Sequence, residues 1–443
     1  MKLQYFLYSA ILLSSSIAFA ESPSGIIDIY QKAVEKDAAI AAERAAAIAG
    51  QEKETQGLSQ LMPSLNASAN ASYAYSKTTY DDAPGQDSSN KSDSSSINLQ
   101  LIQPLFRSAN FTAYSQSKIA GDISDVKLSI AEQNLILRVA TAYFDILSAN
   151  ESLAVAKSQT RAFNENLERA KLTFKVGTAT KTDKLEAQAR YDLARASELS
   201  ALNQLAIARQ SLASIIGETP QALQSLRKNA VLLKVDPQDM QHWVDSAISN
   251  NLSLKSSHLG VKTSQLEIKR LKNDRFPVVD FVANAGLGRQ YSNFVNSDST
   301  NTNASIGLQL SMPLYTGGLM TSRIREAEAL RTQQKFNHTD TQRQIILQTQ
   351  QAYLTALNGF QQVDALKQAS ISSNSALQAT RKGMEVGVRT NLDLLNAQQQ
   401  FFETERDYTV AKYNYLLTVL SLKAAAGNLA KIDIESLNQL LEK

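Results

Sequence analysis

The chain of 443 residues contains no cysteine, three histidines and a single tryptophan. The missing cysteine excludes disulfides, cysteine-based zinc sites and a lipid-modified N-terminal cysteine. His242, His258 and His338 lie scattered in helical segments without ligand spacing, and no phosphate-binding, dinucleotide or nucleophile-elbow motif is present, so neither an enzyme, a metal nor a cofactor is expected. Net charge is only +3 and is spread along the chain, which gives nucleic acid no basic patch to bind. Hydrophobic content of 43% and charged content of 20% fit a folded chain. Long hydrophobic runs are lacking too. The apolar run from Phe6 to Phe19 follows Lys2 and ends in Ala18 and Ala20, which reads as a signal peptide cleaved after Ala20, a retained anchor being the alternative. Beyond it no stretch approaches the ~20 apolar residues of a transmembrane helix, so any membrane crossing must be made by strands.

What the chain does have is a long internal repeat. Val176-Gly177, Thr180, Asp183, Leu185, Ala187-Gln188 and Gly217 return as Val386-Gly387, Thr390, Asp393, Leu395, Ala397-Gln398 and Gly427, at a constant offset of 210. Ala33 to Pro63 returns as Ala247 to Pro277 at an offset of 214. Such a period implies two copies of one structural unit. The expected organisation is a signal peptide at 1–20, repeat one at 21–217, a mid-height linker at 218–239, repeat two at 240–427 and a C-terminal mid-height segment at 428–443.

Each repeat reads helix, strand, strand, helix, turn, helix. The first helices span Ile26–Leu61 and Met240–Arg275 and stop at Pro63 and Pro277. Strict alternation follows, with Leu65, Ala67, Ala69, Ala71, Tyr73 and Tyr75 on one face and Asn66, Ser68, Asn70 and Ser72 on the other. After the polar run Asp81–Asn90, Ile97, Leu99 and Leu101 alternate until Pro104. In repeat two Val279, Phe281, Ala283, Ala285 and Leu287 share a face, then a polar loop Asn293–Asn303, then Ala304, Ile306, Leu308 and Leu310 before Pro313. Each run matches a tilted bilayer-crossing strand of roughly 9–11 residues. On the strands alone, a soluble hairpin with one buried face is the more ordinary explanation.

The helices shift that balance. Between Arg107 and Val176 only Gly121 interrupts a helical pattern of 70 residues, about 105 Å at 1.5 Å per residue. Leu135, Val139, Ala142, Ile146, Ala149, Leu153 and Ala156 recur in a heptad rhythm, as do Ile345, Thr349, Ala352, Ala356, Gly359, Val363 and Leu366. Short helices of about half that length flank them, so two short helices end to end match one long helix and four columns arise per chain. Four strands cannot close a barrel, open edges are not tolerated in lipid, and the smallest closed membrane barrels use about eight strands. The chain must therefore assemble, and composition alone does not choose three copies over two or four. A nonspecific porin is a poor fit, because porins close a barrel from one chain and carry no such helices.

The strand entries at Pro63 and Pro277, the exits Gln103-Pro104-Leu105-Phe106 and Met312-Pro313-Leu314-Tyr315-Thr316-Gly317-Gly318, the turns 174–183 and 384–393, and Ala411-Lys412-Tyr413-Asn414-Tyr415-Leu416 together resemble the TolC family of outer-membrane channel proteins, over nearly the whole mature chain. The resemblance implies a membrane β-barrel plus α-barrel: a homotrimer in outer-membrane lipid of a Gram-negative bacterium, with a twelve-stranded barrel and a long periplasmic α-barrel. It implies a passive duct for efflux or type I secretion that docks to a periplasmic adaptor and, through it, to an inner-membrane transporter. A periplasmic coiled-coil scaffold with a soluble hairpin domain is the alternative.

The two turns would form the periplasmic tip. Val176, Gly177, Thr178, Val386, Gly387 and Val388 are the implied adaptor-docking positions, although a glycine there also suits a helix C-cap. Asp393 and Asn396 stand where the resemblance implies an aperture ring of acids. The amide at Asn396 lowers the ring's charge, and an acid at a helix start is favourable by itself. Arg389 would latch the tip by bonding to Thr182 or Asp183 of a neighbouring helix. Met384, where many relatives carry tyrosine, removes a second latch bond.

Overall fold

A computed structural model describes residues 23–79, 81–82, 88–227, 232, 234–292 and 297–442. The expected signal peptide and parts of both polar loops and of the linker lie outside the described residues. The chain starts with α1 (Ile26–Lys36) and α2 (Ala38–Ser59), continues through β1 (Ser64–Thr78) and β2 (Ser88–Phe106), and returns in α3 (Ser108–Lys175) and α4 (Lys181–Ile216). The same order then recurs as α5 (Met240–Asn250), α6 (Leu252–Asn273), β3 (Val278–Ser292), β4 (Ser297–Ser311), α7 (Leu319–Glu385) and α8 (Asn391–Ala425), with α9 (Lys431–Asn438) at the end. The long helices α3 and α7 have 68 and 67 residues, α4 and α8 have 36 and 35. Among the described residues no helix is long and apolar enough to cross a membrane.

Each entry helix, expected to be continuous, is broken. Asp37 leaves the helical region (φ −67°, ψ 117°) and accepts a hydrogen bond from the Ile40 amide at 2.9 Å, ending α1 and starting α2. Asn251, 214 residues on, does the same (φ −64°, ψ 123°), capping the amides of Ser253 and Leu254 at 2.9 and 3.2 Å. A short side chain that bonds its own backbone competes with the helix and wins where tertiary contacts hold it. At Asp37 that contact is Arg138 of α3, which donates to both carboxylate oxygens at 2.9 and 3.0 Å.

The strands form one antiparallel sheet in the order β1-β2-β3-β4. Its register puts Leu65 opposite Leu101, Ala67 opposite Leu99 and Ala69 opposite Ile97, then Leu99 opposite Ala285, and Ala283 and Phe281 opposite Ile306 and Leu308. The apolar positions of all four strands therefore share one face. The other face carries Asn66 opposite Gln100, Ser68 opposite Asn98, and Asn284 opposite both Gln100 and Ser305. At 15 to 19 residues the strands are longer than expected. The polar stretches from Ser88 and from Ser297, expected as loop, continue the ladder. Backbone pairing needs no apolar side chain, and serines such as Ser72 and Ser94, 2.7 Å apart through their hydroxyls, pair across strands. β2 also runs past Pro104 to Phe106, with its register shifted there because proline offers no N–H. Where sheet meets helices, Arg107 grips Asp280 of β3 through two bonds of 2.8 and 2.6 Å.

The largest core lies midway along the helices. Leu135, Val139, Ala142, Ile146, Ala149 and Leu153 of α3 bury the heptad seam there against Ile26, Ile29, Leu212, Ile216, Leu416 and Leu420. The tail joins it: Ile434 and Leu437 of α9 pack into this core, and Leu441 pairs with Leu226 in an isolated bridge. Tyr143 is fully buried and donates to the Gln224 carbonyl at 2.8 Å. A satellite cluster gathers Trp243, Val235, Tyr353, Ala356 and Leu422, and the indole donates to the Pro237 carbonyl at 2.9 Å. Burial alone would raise the Asp37 carboxyl, but the Arg138 guanidinium and the Ile40 amide hold it below its ordinary value. Its stabilisation is therefore complete above about pH 4, the carboxyl's unfolded value, and is lost as pH falls through the depressed folded value. Asp37→Ala should destabilise the detergent-solubilised protein by about 2–3 kcal/mol at neutral pH, less than for a fully buried pair because Arg138 is partly exposed. In thermal unfolding from pH 7 to pH 2, the gap between wild type and Asp37→Ala should close toward acid.

Candidate functional site

The candidate site is the pair of helical turns farthest from the sheet. α3 ends at Lys175 and α7 at Glu385, each followed by a glycine in the left-handed region, Gly177 at φ 83° and Gly387 at φ 80°. The next amide reaches back five residues, Thr178 N–H to the Thr173 carbonyl and Val388 N–H to the Gly383 carbonyl, both at 2.9 Å. This six-residue closure is a Schellman motif, and the positive φ selects glycine. The following helices begin with matched capping boxes. Thr180 Oγ1 accepts from the Asp183 amide at 3.1 Å, while Asp183 Oδ2 accepts from the Thr180 amide and hydroxyl at 2.9 and 2.8 Å. Thr390 and Asp393 repeat this at 3.1, 2.9 and 2.9 Å.

These bonds account for the electrostatics of both acids. The Thr180 backbone amide, then its hydroxyl, lowers the Asp183 carboxyl below its ordinary value. The Thr390 amide and hydroxyl lower Asp393 in the same way, with a further contribution from the Arg389 charge. Both carboxylates stay ionised at neutral pH and serve the cap first. Between the two boxes the tip projects apolar side chains into solvent: Val176, Val386 and Val388 are 72, 74 and 75% exposed.

The two tips differ in detail. Lys184 lies over the Phe174 ring at 5.6 Å in the first; the second has Met384 in the ring's position. Gly383, four residues before Gly387, went unnoticed in the sequence. A Cβ there would meet Arg389 Cγ at 2.7 Å, so the stem of Arg389 lies against the bare backbone of α7. Thr182 and Asp183 lie on the other hairpin, and among the hydrogen bonds and ion pairs of the described residues none joins them to Arg389.

Higher up, α8 is tied to the α3–α4 hairpin by polar contacts that the sequence did not reveal. Arg190 Nη2 donates to Asn396 Oδ1 at 3.0 Å. Asn166 Nδ2 donates to Gln398 Oε1 at 2.5 Å, with both residues buried. Gln159 Nε2 donates to Gln399 Oε1 at 2.9 Å. Phe163, Ala194 and Leu395 form the apolar layer among them. Asn396 therefore carries a guanidinium partner. The sequence signal there is the run of amides Gln398-Gln399-Gln400.

Residues 29–218 and 243–428 match the outer membrane efflux protein family. The chain belongs to this family. It is 30% identical to outer membrane protein TolC of Escherichia coli over 97% of its own length and 87% of that protein's. It is 29% identical to the alkaline protease secretion protein AprF of Pseudomonas aeruginosa, over 98 and 90% of the two chains. Its fold superposes on the crystal structure of the CmeC outer membrane channel of Campylobacter jejuni with a TM-score of 0.77, covering 100% of this chain and 98% of that one at 16% identity. As a member of this family the protein resides in the outer membrane of a Gram-negative bacterium with a large periplasmic portion, and the family consists of channels, not enzymes.

The tip glycines provide a direct check. A Cβ at Gly177 or Gly387 meets no atom within 4 Å, so the cost of alanine is that of the left-handed backbone alone. Gly177→Ala and Gly387→Ala should each cost about 1 kcal/mol of local stability. Amide hydrogen exchange should rise at residues 173–183 or 383–393 and stay unchanged in the sheet.

Proposed function

We propose that the protein is the passive outer-membrane exit duct of an efflux pump or type I secretion system. Three copies close a twelve-stranded barrel over a periplasmic α-barrel. The observation that carries this reading is the four-stranded sheet, with one apolar face across every strand, a polar opposite face, and β1 and β4 at its two edges. Such a sheet in lipid must find edge partners in further copies, and twelve strands enclose a wet lumen. An internal duplication agrees with the recurring element order and with the two stretches matched by the family, whose starts and ends are offset like the sequence repeats.

Val176, Gly177, Thr178, Val386, Gly387 and Val388 form the docking surface for a periplasmic adaptor, which their exposed valines suit. The adaptor brings the inner-membrane transporter into line, and these partner chains select the cargo. Asp393 and Asn396 of three copies line the aperture. Arg389 closes it by reaching Thr182 or Asp183 of an adjacent helix across copies; within the chain, among the hydrogen bonds and ion pairs of the described residues, none holds its guanidinium, although its charge acts on Asp393. Arg190, bonded to Asn396, brings a cation close to the ring and weakens its preference for cations.

The purified protein should form discrete conducting channels in planar bilayers. Complete release as a soluble protein by osmotic shock, with no conductance, would overturn the duct and favour a periplasmic scaffold. Arg389→Ala and Asp183→Ala should each raise single-channel conductance; unchanged conductance in both would sink the latch. Asn396→Asp should shift the reversal potential in a potassium chloride gradient toward cation selectivity.

A further inference from the structure

Two of the three histidines, unremarkable in sequence, meet in space. His258 of α6 and His338 of α7 have ring centres 5.8 Å apart with their planes at 55°. Ser257 Oγ lies 3.1 Å from His338 Nδ1. When Nδ1–H donates to that hydroxyl, the Nε2 lone pair of His338 is left free. Metal-binding imidazoles are ordinarily held this way, the outer nitrogen on an oxygen and the inner one on the ion. With metal–nitrogen bonds of about 2.0–2.1 Å added to the radius of each ring, two imidazoles on one ion have centres from roughly 4.5 Å apart at a right angle to roughly 6.4 Å apart when opposed. The observed spacing falls in that interval.

The helices hold this spacing from both sides. Leu254 packs with Ile345 on one side of the pair, and Ile268 and Leu271 pack with Ile324 and Ala327 on the other. We propose that His258 and His338 form a two-imidazole clip for one divalent transition-metal ion, pinning α6 to α7 with water in the remaining positions. Nitrogen ligands favour Cu²⁺, Ni²⁺ or Zn²⁺. Among the described residues no three histidine, cysteine or acidic side chains are placed to hold a metal ion together, so oxygen-seeking Ca²⁺ or Mg²⁺ finds no donor set here. Lys255, Lys262 and Lys335 lie about one helical turn from the two rings, and their charge weakens binding of every cation. The ion that binds imidazole most strongly, Cu²⁺, is therefore the best probe. The site requires neither the trimer nor the gate.

The test uses full-length protein without a histidine tag, purified in detergent and titrated with Cu²⁺ under calorimetry and electron paramagnetic resonance. One Cu²⁺ should bind per chain, with hyperfine structure from two imidazole nitrogens. His258→Ala and His338→Ala should each weaken binding at least about tenfold, and Ser257→Ala roughly tenfold through loss of ring orientation. His258→Gln and His338→Gln keep a polar side chain and should behave as the alanine variants do, which separates ligand loss from misfolding. His242→Ala should bind as wild type. Unchanged binding in the His258 and His338 variants, or loss of binding in His242→Ala alone, would overturn the clip.

Discussion

Backbone amides and carbonyls inside a lipid bilayer have no water to bond, and in the proposed barrel this single constraint organises the chain. A sheet of four strands satisfies its own interior, but among the described residues β1 and β4 each keep one side of the backbone without a partner strand. The register that aligns leucine, isoleucine, phenylalanine and alanine on one face fixes which side would meet lipid in the proposed barrel. A slip of one residue would turn every polar side chain outward, so the alternation and the pairing specify each other. β2 leads into α3 at Arg107, and β4 leads into α7 through residues 312–318.

The energetic weight sits elsewhere. The continuous core lies midway along the helices, where α1, α9 and the ends of α4 and α8 meet the α3 seam. Toward the tips the buried layers thin to small clusters separated by amide pairs such as Asn166–Gln398. An amide pair gains little over solvation, yet either partner left alone and buried is costly, so such a seam favours one alignment without making it strong. The lower helices therefore keep a defined register with less apolar burial than the middle of the molecule.

Much of this was legible in the sequence, and what escaped has a common character. Helix lengths, strand faces and tip turns are local patterns: the heptad rhythm, the alternation, Gly177 and Gly387 with Thr180 and Thr390 behind them. The breaks at Asp37 and Asn251 were missed because no proline or glycine marks them. Each depends on a polar side chain capping the next turn, and at Asp37 on an arginine 101 residues away. The strands run longer than their apolar alternation implies because serine and asparagine pair equally well through the backbone. Arg107–Asp280, Arg190–Asn396 and His258–His338 unite residues from distant elements, and no spacing rule along one chain can find them.

The tip turns have one more consequence. Every bond that shapes a turn comes from its own hairpin: a glycine, a backward-reaching amide, and a threonine and an aspartate holding each other three residues apart. Nothing in that closure borrows from a neighbouring element. Each turn is thus a rigid fingertip on a long lever. In the proposed duct, helices that tilt or slide behind it would deliver the same contour to the adaptor, so grip and motion would be separable.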